Sequence, residues 1–221
     1  MRQRRAAIYG GTFDPVHNGH LEVARRVQRL FALDEVIFVP ACVPPHKRNA
    51  GISSAFHRFA MLALATENDD RLRVSTIELD QPDRPYAVET VARMQEELGS
   101  DCRLFFIMGA DSWSEITTWR DWRRLLTMSD QIVVTRPGYE LDKSGVDGAT
   151  ITDTRGLSAE EIAGLVSDSA GPRTFLTDVV FADVSATVIR EAARKGKNQE
   201  LRQVLPSAVA RYIEKYKLYR N

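Results

Sequence analysis

Apolar positions along this chain follow two rhythms. Short continuous runs at Ala6–Tyr9, Val36–Pro40, Leu72–Leu79, Arg103–Met108 and Gln131–Thr135, with a further one near Val179–Phe181, read as buried strands. Between them the spacing changes to three and four. Leu21, Ala24, Val27, Leu30 and Phe31 share one helical face, as do Phe59, Leu62 and Ala63, and then Val88, Val91, Met94 and Leu98 with Gly99 as a stop. Strand runs alternating with helical segments predict an α/β protein: a Rossmann-like, doubly wound parallel sheet of about five to six strands with flanking helices. The stretch from Gly138 to Arg173 is rich in Gly, Ser, Thr and Asp, carries one helical candidate at Ala159–Val166, and reads as an insertion or a mobile loop. Beyond it, Ser185–Lys195 and Pro206–Leu218 predict a C-terminal helical part, residues 185–221, of the same domain.

At 221 residues the chain suits one domain, residues 1–221, better than two. Lysine plus arginine and aspartate plus glutamate balance at 30 each, so there is no overall field to attract nucleic acid or a membrane surface. An anionic ligand needs a local site. The two cysteines, Cys42 and Cys102, are too few for a disulfide framework and read as reduced thiols. Met1–Ala7 is basic but has no apolar core of a signal peptide, and no run is long enough to span a bilayer. The cytoplasm is the expected location.

The most informative stretch, Gly10-Gly11-Thr12-Phe13-Asp14-Pro15-Val16-His17-Asn18-Gly19-His20, sits between the first strand and the first helix, at the ligand-binding carboxyl edge of an open parallel sheet. Gly10 and Gly11 let an anion approach the backbone. Their spacing is not the dinucleotide fingerprint, which argues against hydride transfer. His17 and His20 stand three residues apart at a helix start, where both imidazoles can join the backbone amides in donating to a phosphate. Zinc is the alternative reading of the pair. It lacks the His-Glu-x-x-His spacing and a cysteine or carboxylate at a ligand interval, so no protein-held metal is expected. A second anion site is suggested by Val184-Ser185-Ala186-Thr187-Val188-Ile189-Arg190, although Ser185 alone would serve as an ordinary helix cap.

The first segment resembles the HxGH signature of the nucleotidylyltransferase superfamily, and the longer GGTFDPVHNGH resembles the bacterial nicotinate mononucleotide adenylyltransferase family. The likeness runs over essentially the whole chain. Ser185–Arg190 is similar to that family's second signature, Pro44-Pro45-His46-Lys47 to its mobile basic loop, Gly109-Ala110-Asp111 to its ribose contact, and Arg136-Pro137-Gly138-Tyr139 to its segment near adenine. Asp111 would equally serve as a helix N-cap. Trp113, Trp119 and Trp122 lie within ten residues; Trp119 matches the tryptophan that stacks on the pyridine ring and Tyr86 its aromatic partner, which leaves Trp113 and Trp122 to packing. Ala87 stands where the family usually has threonine.

The resemblance implies transfer of AMP from ATP to nicotinate mononucleotide, giving nicotinate adenine dinucleotide and pyrophosphate. It implies catalytic roles for His17, His20, Thr12, Lys47 and Arg190, and ATP contacts from Gly10, Gly11, Gly19, Gly109, Asp111, Arg136, Ser185 and Thr187. The acceptor would meet Phe13, Lys47, Tyr86, Ala87, Val88, Thr90, Trp119 and Arg120. Mg2+ would arrive with ATP, keeping most of its waters, and a homo-oligomer is a family-level expectation. The rival readings are a relative with another acceptor, such as phosphopantetheine or glycerol phosphate, and a nucleotide-binding regulator without turnover.

Overall fold

Residues 3–42, 52–81, 85–135, 146, 149–167, 171–179 and 185–220 are described by a computed structural model. Within them the two rhythms separate as strand and helix. The strands are β1 (Arg4–Gly11), β2 (Glu35–Pro40), β3 (Leu72–Val74), β4 (Cys102–Gly109), β5 (Asp130–Val134), β6 (Ile151–Asp153) and β7 (Thr174–Thr177). They form one sheet in the order β3-β2-β1-β4-β5-β7-β6, every pairing parallel. Helices α1 (Asn18–Leu30) and α2 (Ala55–Thr66) follow β1 and β2, α3 (Ala87–Leu98) carries the chain back across to β4, α4 (Ala110–Ser114) and α5 (Trp122–Met128) lie between β4 and β5, and α6 (Ala159–Ser167) lies between β6 and β7. The order therefore reverses between β1 and β4, and in an open parallel sheet the carboxyl ends at such a reversal are where ligands bind.

Strict alternation along the strands builds a core on each face of the sheet. Phe105 and Ile107 of β4 point to one side, where they meet α1, α2 and the C-terminal helices α7 (Ala186–Arg194), α8 (Asn198–Val204) and α9 (Ser207–Tyr216). Leu104, Phe106 and Met108 point to the other, packing with Val88, Val91 and Met94 of α3 and with Trp113. Helix α3 ends at Gly99, whose φ of +83° lies where glycine is free of strain, as the sequence implied.

The departures from expectation have local causes. Seven strands replace the five to six expected, because β6 is a three-residue edge strand inside the polar Gly138–Arg173 stretch and pairs only with β7. Of the run near Val179–Phe181 only Val179 is among the described residues, and it lies outside β7, which comes earlier, at Thr174–Thr177. β3 stops at Val74, since Leu79 and Asp80 turn back to donate to the Thr76 carbonyl at 2.7 and 3.0 Å. On α2 the buried positions are Arg58, Met61, Leu62 and Thr66, while Ala63 faces outward. α8 was not anticipated. No helix among the described residues is long and apolar enough to cross a membrane.

At the amino edge of the sheet, Arg103 donates from Nε and Nη2 to the Asp130 carboxylate at 2.7 and 2.9 Å, and the Arg173 amide adds a third bond at 3.0 Å. Asp130 is 3% exposed and the Arg103 side chain 15%, so removing the carboxylate takes the ion pair from a mostly buried guanidinium. Asp130→Ala is expected to lower stability by roughly 3–5 kcal/mol in urea unfolding at neutral pH. An unchanged midpoint would mean that the pair does not tie β4 to β5.

Candidate active site

Three segments at the carboxyl ends of β1, β2 and β4 make the site. β1 runs out at Gly10 and Gly11, and the chain then turns through Thr12 and Phe13, whose φ of +49° is unusual for a side chain of its size. The ring compensates by packing edge-on against Tyr9, Phe38 and His20, with centroids 5.4, 5.4 and 5.1 Å away. This close approach explains Gly11. A Cβ there would lie 2.9 Å from the Phe13 ring, whereas one on Gly10 would make an ordinary 3.5 Å contact with Phe106.

His17 is the N-cap of α1 and His20 lies in its first turn, with Gly19 between them as the second helical residue. Their rings stack with centroids 3.6 Å apart and 27° between planes. The His17 amide donates to His20 Nδ1 at 3.3 Å, so a neutral His20 carries its proton on Nε2. Burial pushes His17 down to about 4, and burial together with the neighbouring His17 holds His20 well below the usual imidazole range. Both rings are neutral at pH 7. His17 Nδ1 is buried without a hydrogen-bond partner among the described residues. Two neutral imidazoles at the positive end of a 13-residue helix form a donor cradle suited to an anion.

The loop that carries this pair is fastened from behind. Arg58, 1% exposed, donates to the carbonyls of Thr12 at 2.8 Å, Ala41 at 2.6 Å, Cys42 and Ser53, joining the ends of β1 and β2 to the start of α2. Asp14 is equally buried. Its carboxylate accepts from the Ser53 amide at 3.3 Å and the Tyr219 hydroxyl at 2.7 Å, and its carbonyl accepts from Arg190 Nη1 at 2.8 Å. Arg190 Nη2 also donates to Thr187 Oγ1 at 3.2 Å, which brings the second anion motif against the first. Ser185 takes the N-cap position of α7 without a side-chain cap bond, and both it and Thr187 are exposed.

Gly109 caps α4 (Ala110–Ser114), so Asp111 lies in that helix's first turn and is not its N-cap; it is exposed beyond the carboxyl end of β4. Tyr86 begins α3, 48% exposed, and the Arg120 guanidinium stands 5.0 Å from its ring centre. Trp119 is half-buried edge-on to Phe106 with centroids 6.3 Å apart, while Trp113 is in the core. Tyr86, Ala87, Trp119 and Arg120 therefore share one surface beside β4. Val88 and Thr90 lie beneath it, and the Thr90 hydroxyl donates to Glu78 at 2.8 Å. Lys47, with Pro44, Pro45 and His46, and Arg136, with Pro137, Gly138 and Tyr139, fall outside the described residues. Sequence reasoning missed Arg58, Asp14, Glu78 and Tyr219. Only Arg58 left a signal, as a charge beside the apolar stripe of α2.

A glycine bend and a histidine cradle at the sheet's reversal define a nucleotidylyltransferase-type protein, and residues 8–192 match the cytidylyltransferase-like family model. The chain is 37% identical to a protein of Thermoanaerobacter named as a probable nicotinate-nucleotide adenylyltransferase, over 100% of this chain and 96% of that one. It is 38% identical to one of Corynebacterium jeikeium, over 95% and 98%. The chain belongs to the nicotinate-nucleotide adenylyltransferase family. The fold is shared with the nicotinic acid mononucleotide adenylyltransferase of Plasmodium falciparum complexed with NaAD, at a TM-score of 0.72 and 19% identity over 98% of this chain and 97% of that one.

The depressed histidines set a pH dependence. Unfolded His17 takes a proton near 6.5 and the native ring only near 4, so the unfolded chain binds more protons between those values and stability falls as pH falls. From pH 6.5 to 5, wild type is expected to lose on the order of 2 kcal/mol more than His17→Gln in urea unfolding. A gap between the two that does not change with pH would contradict the buried, neutral assignment.

Proposed function

We infer that the chain transfers AMP from ATP to nicotinate mononucleotide, releasing pyrophosphate. The observation that carries this reading is the stacked, neutral His17–His20 pair at the amino end of α1, in a chain related over its full length to nicotinate-nucleotide adenylyltransferases.

The acceptor's 5′-phosphate is already ionised near neutral pH and pyrophosphate is a stable leaving anion, so the reaction needs no strong base. What it needs is alignment of two phosphates and neutralisation of charge on the α-phosphate as it becomes five-coordinate. His17 and His20 donate to the α- and β-phosphate oxygens, and His20 does so from Nε2. Thr12 and the backbone at Gly10 and Gly11 meet the transferring oxygens, and Lys47 and Arg190 hold the β- and γ-phosphates. Gly109 and Asp111 take the ribose, Arg136 lies near adenine, and Ser185 and Thr187 cap the triphosphate end. The pyridine ring rests between Tyr86 and Trp119, with Arg120 beside Tyr86 to face the nicotinate carboxylate.

Among the described residues no group of three or more His, Cys, Asp or Glu is placed to hold a metal ion. Mg2+ carried on the triphosphate would supply charge neutralisation at the leaving pyrophosphate while keeping most of its waters. The protein's own task is to present donors to oxygens that gain charge in the transition state.

Pyrophosphate release from ATP and Mg2+ with nicotinate mononucleotide, nicotinamide mononucleotide and phosphopantetheine in parallel tests the assignment. Fastest turnover with nicotinate mononucleotide is expected, and release only with another acceptor, or with none, overturns it. His20→Ala is expected to fold normally and to lower kcat about 10²–10³-fold, the size seen when one preorganised donor is lost. Near-native turnover at saturating substrate would remove His20 from the reaction.

A further inference from the structure

The last residues of the described chain reach the back of the loop that carries the histidine pair. Beyond α9, Lys217 and Tyr219 both take left-handed backbone conformations, φ +52° and +67°, and Tyr219 is brought back over the β1–α1 loop. Its hydroxyl then donates to Asp14 Oδ1 at 2.7 Å, across 205 residues of sequence. Asp14 is 2% exposed and stands three residues before His17. Among the described residues the other hydrogen bond to this carboxylate is the 3.3 Å contact from the Ser53 amide.

A buried carboxylate short of donors draws in the nearest cation. Arg58 and Arg190 both stand close enough to interact with the Asp14–Tyr219 pair. Arg58 has its donors on four main-chain carbonyls, and Arg190 reaches the Asp14 carbonyl rather than the carboxylate. Burial and the Asp14 charge push the Tyr219 hydroxyl far above its ordinary range, so it remains a donor at any working pH.

We propose that Tyr219 is a positioning residue of the phosphate site: its hydroxyl satisfies the Asp14 carboxylate, which keeps the loop to His17 in register and Arg190 off that carboxylate. The proposal rests on the adenylyl-transfer reading above. The effect belongs in kcat more than in KM, because ATP is held at many points and only alignment of the α-phosphate depends on the loop.

Tyr219→Phe removes one oxygen atom. With unfolding curves confirming a folded variant at assay temperature, kcat for pyrophosphate release is expected to fall about tenfold with KM for ATP changed less than about twofold. Asp14→Asn removes the charge that needs the donor, so adding Tyr219→Phe to it should cause no further loss. Asp14→Ser serves in the same comparison if Asp14→Asn does not fold. Wild-type kcat in Tyr219→Phe overturns the proposal, and so do losses that multiply in the double variant. A wild-type chain without turnover removes the functional reading and this one with it; an active wild type with an unimpaired Tyr219→Phe removes this one alone.

Discussion

Two imidazoles stacked and desolvated at the start of a helix are the constraint on which the rest of this site depends. Burial keeps both rings uncharged, so they repel one another little at a centroid separation of 3.6 Å. On the proposed reading, an arriving phosphate would supply an acceptor for the Nε2 proton of His20 and for donors at the helix start that water reaches poorly. The fold's contribution is to hold this arrangement at the β1–β4 boundary, where the sheet order reverses.

Holding it takes more than the motif itself. Phe13 adopts a backbone conformation that side chains seldom occupy, and the conformation persists because Tyr9, Phe38 and His20 surround its ring while Gly11 gives it room. Arg58 fixes the two strand exits by donating to their main-chain carbonyls. Asp14, Tyr219 and Arg190 then join the first and last quarters of the chain, so the two anion motifs become one surface although over 160 residues separate them.

What the sequence disclosed follows from range. β1, the glycine bend and the histidine pair are contiguous, so local spacing and helix geometry were enough to place them at a carboxyl edge with both rings on one side. The helical faces of α1 and α3 were legible for the same reason. β6 was not, because three edge residues in a polar stretch carry no apolar run, and β7 falls before the run near Val179 that stood out. Arg58 and Tyr219 act through contacts 46 and 205 residues away, which no periodicity encodes. Trp113 and Trp119 were separable only through the resemblance; the structure buries the first and leaves the second beside Arg120 and Tyr86.

A crystal structure with a non-hydrolysable ATP analogue and Mg2+ reads the central claim directly. Phosphate oxygens within about 3.2 Å of a ring nitrogen of His17 and of His20 Nε2, with the rings still stacked, are the predicted result. A triphosphate lying elsewhere, with both rings unengaged, would contradict it.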